Sequence, residues 1–395
     1  MNLNVLYIVN STTPFGGATK SFLALLRYAV DNGVTPVVLL PDADGVYHLL
    51  KQMGIQTIVL KYSPDIYPKS RTLWQKALFL PLIAVRRIRH RNTVGKLLSF
   101  VRENKIDIIH SNTSVVSVGY DVAMRLGIPH VYHIREYADK DFDMKYFPSS
   151  KAFHASLHNP MSYTICITTD VQRHHGLTGD CNSRVIYNGI SETDTTPVFN
   201  RAGDYFLYAG RVEPCKGIKE LVTAYKAYCE DTAVPLPLLI AGEVFSNGLR
   251  DDLESLLLSC DKARDNVKFL GPRKDVQALM RNARAIIIPS LYEAFGRCMP
   301  EAMLCGCLAI AHDTAGTKEQ LDNGLKMHGE NIALRYDTVQ QLAEHLQNVS
   351  ERPVDYYLDM KRRAYMTVKQ MYDTQSYADS ILSFYEQIMK DKHRN

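Results

Sequence analysis

The residues best suited to chemistry lie where strand-like runs open into loops in the second half of this 395-residue chain. The most informative stretch is AIIIPSLYEAFGRCMPEAMLCGCLAIA, residues 285–311. Its opening apolar run predicts a strand over Ala285–Pro289, followed by a loop and a helix with Pro300 at its first position and Glu301 behind it. Glu293 and Glu301 flank Phe295-Gly296-Arg297-Cys298, in which Gly296 lets backbone N–H groups approach a ligand closely. A loop of this kind after a parallel strand suits a diphosphate, and two carboxylates beside it can accept hydrogen bonds from paired sugar hydroxyls. Taken alone, Glu301 reads first as ordinary acidic stabilisation of a helix start, and its surroundings shift that reading.

Three further strand exits carry compatible residues. YAGRVEPCKGIKELV places Arg211 and Lys216 after a strand, where two cations can neutralise charge developing on a leaving diphosphate; in isolation they read as solvated surface charges. IAGEV supplies Gly242 and Glu243, and DTAGTKE supplies Gly316 and Thr317 in a loop of small residues. In the first half, Gly16-Gly17 opens a helix after the first strand. The Thr19-Lys20-Ser21 that follows lacks the glycine that a phosphate-binding loop needs directly before its lysine. His133 falls at a strand's carboxyl end, where an imidazole can hydrogen-bond a sugar hydroxyl or the reacting centre; His110 is similarly placed but reads as structural. Asp42-x-Asp44 and Asp139-x-Asp141-x-Asp143 read as solvated loop acids, because the second lacks the glycine and final glutamate of a calcium loop. No metal site is expected.

Positioning such residues requires a regular frame. Short β-rich runs alternate with helical patterns from Val5–Val9 to Arg184–Tyr187, lose their rhythm over residues 191–204, and resume from Tyr205–Tyr208. Strands separated by helices predict an α/β protein with doubly wound parallel sheets. We expect a first domain over 1–195, a second over 196–372, and a helix within 373–395 that packs back onto the first. All eight cysteines lie at 166 or beyond, without a Cys-x-x-Cys pair, and read as reduced thiols.

The segments GRVEPCKGI, AGE, FLGPRKDV and PSLYEAFGRCMPEAMLCGCLAIAHDTAGTKE resemble the donor-binding half of the family 4 retaining glycosyltransferases. The likeness covers nearly the whole chain and includes members that build capsule and exopolysaccharide. It implies the GT-B fold, two Rossmann-like domains facing a central cleft. It further implies that a nucleotide-diphosphate-sugar donor is bound by Arg211, Lys216, Gly242, Glu243, Gly316 and Thr317, with Glu301 on the ribose. Glu293 would meet the transferred sugar together with the backbone of Phe295 and Gly296, and Gly16 and Gly17 would lie near the donor phosphates. His133 would act at the reacting centre, with Arg135 and Glu136 shaping the acceptor site. Ala315 stands where the family usually has the first of two glycines. No cofactor or essential metal is implied, since Arg211 and Lys216 supply the positive charge.

The net charge of +4 conceals an asymmetry: residues 1–195 carry 21 basic and 15 acidic residues, residues 196–395 carry 25 and 27. The excess concentrates in 66–102, which contains no acid. There Trp74 and neighbouring apolar residues precede Arg86, Arg87, Arg89 and Arg91, a pattern that suits an anionic membrane surface better than nucleic acid. With no signal peptide and no apolar run near the length of a membrane span, a cytoplasmic protein peripheral at the inner membrane face is expected. The expected activity is sugar transfer to a lipid-linked or polysaccharide acceptor in cell-surface glycan synthesis. A nucleotide-sugar epimerase, a phosphorylase or a non-catalytic partner subunit on the same fold are the alternatives.

Overall fold

A computed structural model describes residues 2–14, 16–69, 73–140, 143–191, 195–201, 203–244 and 247–392, with backbone alone for 73–80 and 247. The chain divides into two compact units, Met1–Gly189 with Thr374–Asn395, and Ile190–Asp373. The cuts thus fall at 189/190 and 373/374, where the sequence placed them at 195/196 and 372/373. In the second unit Ile190 bridges Asp373 and its N–H donates to the Tyr372 carbonyl at 2.7 Å, which ties the two crossing stretches of chain together.

The first unit contains β1 (Leu3–Ile8), β2 (Val34–Leu40), β3 (Gln56–Val59), β4 (Ile66–Pro68), β5 (Ile108–Ser111), β6 (His130–Ile134), β7 (Met144–Tyr146), β8 (Ser162–Cys166) and β9 (Ser183–Val185). Seven of these form a parallel sheet in the order β3-β2-β1-β5-β6-β8-β9, and β4 pairs antiparallel with β7. Strand order reverses beside β1, so the exits of β1 and β5 diverge and leave a crevice at their carboxyl ends. The central strands are buried on both faces, as parallel strands covered by helices on each side are, and β5 and β6 carry His110, Ser111, His130 and His133 into that interior. The helix Gly17–Asp31 follows β1 with Gly16 as its N-cap, and Val118–Leu126 ends on Gly127 in a left-handed conformation, the stop its sequence predicts. The last helix, Thr374–Lys392, buries Tyr377, Ile381, Phe384, Tyr385 and Ile388 in the core formed by β1, β2 and Gly17–Asp31. Burial of side chains this size contributes about 1.5–3 kcal/mol each before entropy is counted.

A 31-residue helix, Leu73–Glu103, joins the β4 region to β5 and runs through Pro81. Its last third buries Val94, Leu97 and Val101, whereas Leu82, Val85 and Ile88 are exposed.

The second unit contains β10 (Phe206–Ala209), β11 (Leu238–Ala241), β12 (Val267–Gly271), β13 (Ala285–Ile288), β14 (Ala309–His312) and β15 (Leu334–Tyr336), all parallel in the order β12-β11-β10-β13-β14-β15. Its core gathers the strands around the helices Ile218–Asp231 and Val339–Glu351. Here the strand order reverses between β10 and β13. The expected ligand-bearing loops follow those two strands.

Candidate functional site

At the reversal in the second unit, backbone contacts bring three loops together. The turn after β10 passes through Gly217, whose φ of +65° is left-handed and whose added Cβ would lie 1.8 Å from the Pro289 carbonyl oxygen. Only glycine allows that approach. It presses the end of β13 against the Lys216 turn, and the Leu291 N–H donates to the Cys215 carbonyl at 3.1 Å. Gly242 serves the next pair of exits: a Cβ there would meet the Gly210 carbonyl oxygen at 1.7 Å. The Tyr208 hydroxyl donates to the Arg211 carbonyl at 2.6 Å, and Val212 N–H to the Glu243 carbonyl at 2.8 Å.

The charged side chains meet on this frame. Lys216 Nζ lies 2.7 Å from Glu293 Oε1, which also accepts from Ser290 Oγ at 2.8 Å. Burial alone pulls the Lys216 ammonium down, but the adjacent Glu293 carboxylate outweighs it and holds the group above the ordinary lysine value. Arg211 pairs with Glu213 at 3.0 Å, and Arg297 pairs with Glu301 at 3.1 Å. The helix bearing Glu301 spans Cys298–Leu304, so Pro300 occupies its third position and not its first. The first turn tolerates proline at either place because its N–H groups have no intrahelical acceptor.

The loop after β14 closes the arrangement. Gly316 donates its N–H to the Glu293 carbonyl at 2.8 Å, and a Cβ on it would sit 2.6 Å from the Ala294 oxygen. Ala315 has φ +47°, which its Cβ disfavours and a glycine would accept freely. Thr317 is buried. Gln320, also buried, donates its amide to the carbonyls of Phe295 and Gly296, at 3.3 Å for the latter. Arg335 Nη2 lies 2.6 Å from both Asp313 and Asp322 and fixes the start of this loop. Ser290, Tyr208, Gln320 and Arg335 were not among the predicted residues. Ser290 stands three positions before Glu293, which was the available hint; nothing local marks Gln320 or Arg335.

In the first unit the predicted residues are packed inward. His133 is the fourth residue of β6 and fully buried, with Nδ1 3.2 Å from His110 Nε2. Burial, then Arg135, then the neighbouring imidazole hold both rings well below the ordinary histidine value, His110 with Arg135 and His130 beside it. Arg135 is 9% exposed: Nε and Nη2 donate to Asn112 Oδ1 at 3.0 and 2.9 Å, Nη1 to Asn188 Oδ1 at 2.5 Å, and Nη2 to the Tyr377 hydroxyl at 3.0 Å. Glu136 Oε1 accepts from Thr113 Oγ1, Ser114 N and Ser114 Oγ at 2.7–2.8 Å. Arg135 therefore ties Asn112 and Asn188 to Tyr377 of the last helix, Glu136 Oε1 holds residues 113 and 114, and both side chains are largely buried, not standing open past the strand end as their sequence position suggests. Gly16 and Gly17 lie at the start of the helix after β1. Among the described residues no cluster of three or more His, Cys, Asp or Glu side chains could hold a metal ion. Asp141 and the Trp74 side chain lie outside the described residues; Arg86 is part-buried, while Arg87, Arg89 and Arg91 are exposed.

The family model for glycosyl transferases group 1 matches residues 192–367, and that for glycosyltransferase family 4 matches residues 15–194. The chain belongs to the family 4 glycosyltransferases. Over 124 residues it is 33% identical to the O-antigen chain mannosyltransferase B of Escherichia coli, covering 31% of this chain and 32% of that one. It is 27% identical over 263 residues to a glycosyltransferase of Methanocaldococcus jannaschii, covering 60% of this chain and 66% of the relative. The matched segments thus span less than two thirds of either relative. Anabaena HepE, solved in complex with UDP and glucose, superposes with a TM-score of 0.75 over 98% of this chain and 100% of that one at 21% identity. This glycosyltransferase accordingly has the GT-B architecture of two parallel-sheet α/β domains.

Proposed function

We propose that the protein is a retaining glycosyltransferase that moves a sugar from a nucleotide-diphosphate donor to a lipid-linked or polysaccharide acceptor in cell-surface glycan synthesis. The observation that carries this reading is the convergence of Arg211, Lys216, Glu293, Arg297 and Glu301 on the β10 and β13 exits, within one frame of close backbone contacts. The anionic donor exchanges into that set: its diphosphate takes Lys216 and Arg211, releasing Glu293 toward the sugar hydroxyls, while Glu301 accepts from the ribose. The bond between the anomeric carbon and the diphosphate oxygen breaks, and a bond to the acceptor oxygen forms on the same face. The acceptor proton passes to the departing diphosphate, whose charge Lys216 and Arg211 stabilise. No metal is required. His133 lies in a buried network through Nδ1, while its Nε2 has no hydrogen-bond partner among the described residues. The chain works at the inner membrane face, held by Arg87, Arg89 and Arg91 against anionic lipid; the relative named for O-antigen chain synthesis and the neighbour solved with UDP and glucose accord with glycan synthesis from a nucleotide-sugar donor.

A thermal-shift panel of UDP, GDP, ADP and CMP sugars identifies the donor, because a ligand that binds only the folded state raises its melting temperature. With that donor, Lys216→Ala and Glu301→Ala are expected to lower turnover about 10²-fold or more, the scale of losing one charge-stabilising group. Near-normal rates in both variants would remove this assignment. Nucleotide release without any acceptor would favour another enzyme class.

A further inference from the structure

The chain passes between its two units twice, at 189/190 and at 373/374. The residues on each side of those cuts lie close together. In the first unit a Cβ added to Gly189 would lie 2.9 Å from the Thr374 Cα. In the second, Ile190 bridges Asp373 and donates its N–H to the Tyr372 carbonyl at 2.7 Å. Tyr372 is the C-cap of the helix Leu358–Met371 and is fully buried.

The side chain of Tyr372 meets the loop after β13. Its ring packs edge-on against Phe295, with centroids 5.4 Å apart and planes at 87°, an arrangement favourable beyond the area it buries. Its hydroxyl accepts from Asn323 Nδ2 at 3.1 Å. Gln320 precedes Asn323 by one turn on the helix Ala315–His328, so the two side chains share a face. The Gln320 amide donates to the carbonyls of Phe295 and Gly296, while its buried Oε1 has no hydrogen-bond partner among the described residues. Gln320 therefore spends its hydrogen bonding on the loop. Phe295, Gln320, Asn323 and Tyr372 form a closed circuit, with the loop at one end and the Ile190 hydrogen bond at the other. In a close-packed interior a shift of Phe295 must displace the Tyr372 ring, and a shift of Tyr372 must disturb the carbonyl that receives Ile190.

We propose that Tyr372 is a positioning residue for the donor, which holds the Phe295-Gly296 loop and links its occupancy to the order of the chain where it passes between the units. This rests on the reading of Phe295 and Gly296 as part of the donor site. Such coupling is reciprocal: a donor that steadies the loop steadies Ile190, and loosening Tyr372 weakens the donor.

The test is hydrogen exchange of the full chain, read in peptides covering residues 186–191, together with calorimetric titration of UDP-glucose, UDP-N-acetylglucosamine, GDP-mannose and ADP-glucose. Without ligand, Tyr372→Leu and Phe295→Leu should each speed exchange there about fivefold or more, the lower end of coupling between two sites. Tyr372→Phe keeps the ring contact and should stay within about twofold of the parent, as should Val349→Ala, which loosens the core of the same unit around the helix Val339–Glu351. With the nucleotide sugar that binds, the parent and Tyr372→Phe should gain protection at 186–191, whereas Tyr372→Leu should bind it about fivefold more weakly and gain none. Where Tyr372→Leu does not fold, Phe295→Leu reads the same contact from the other side. Unchanged exchange in the leucine variants, equal acceleration by Val349→Ala, or ligand-induced protection that persists in the leucine variants overturns the proposal and leaves the donor assignment intact. Binding of none of the four nucleotide sugars removes the donor assignment and this proposal with it.

Discussion

The two units share one plan and use it in opposite ways. Each has a parallel sheet whose strand order reverses near its first strand, and each collects polar residues at the exits there. In the second unit those residues are part-exposed ions in mutual pairs: Lys216 with Glu293, Arg211 with Glu213, Arg297 with Glu301. In the first they are a buried lattice in which one guanidinium is shared among two asparagines, a tyrosine and a histidine, with no carboxylate among those partners. Ion pairs that keep some access to solvent exchange partners at lower cost than a closed lattice, in which each atom released is left without a partner. The same fold thus gives one exit lined with ion pairs, where the proposed donor would bind, and another that holds its own chain.

The sharpest way to break this contrast is to remove one cation from each unit. Arg135→Met leaves Asn112, Asn188 and Tyr377 with buried unpaired atoms and is expected to cost about 3–5 kcal/mol, while donor affinity stays within twofold once the variant is folded. Urea unfolding and donor titration measure both effects.

A pH series sharpens it further. His110, His130, His133 and His175 are held neutral in the first unit; burial is the leading cause in each, and it lowers His175 to about 4 and His130 to about 3. The unfolded imidazole titrates near about 6.5. A depressed folded value means that the stability these groups contribute is complete above that pH and is lost as pH falls toward 4 and 3. Histidines 312, 328 and 345 of the second unit are all part-exposed. Hydrogen exchange between pH 7.5 and 5 should therefore show protection falling first in the first unit; earlier loss in the second would reverse the argument.

The smallest effect belongs to Lys216→Ala, expected to cost only about 1–2 kcal/mol in the same urea experiment, because Glu293 keeps Ser290 and gains water. If Lys216→Ala destabilises more than Arg135→Met, the distinction between exchangeable and locked exits fails.

Much of this was legible in the residues. β-rich runs alternating with helical patterns marked the strands of the two large sheets, although the run at Asn331–Leu334 meets β15 only at Leu334, and the exits after β10, β13 and β14 stand out by residue type alone. The β4–β7 ribbon was not: Ile66-Tyr67-Pro68 ends in a proline, and Met144-Lys145-Tyr146 sits in a charge-rich stretch. His133, Arg135 and Glu136 show the deeper gap. A strand covered on both faces has no polar side to betray inward from outward, so a charged residue just past its end reads as exposed. What buries Arg135 is Tyr377, 242 residues away, and no local pattern encodes that contact.

The helix Thr374–Lys392 completes the first unit although every residue of the second precedes it. During synthesis on a ribosome, the second unit therefore emerges whole while the tyrosine-lined flank of the first still waits for its cover. The half of the molecule that begins first is finished last.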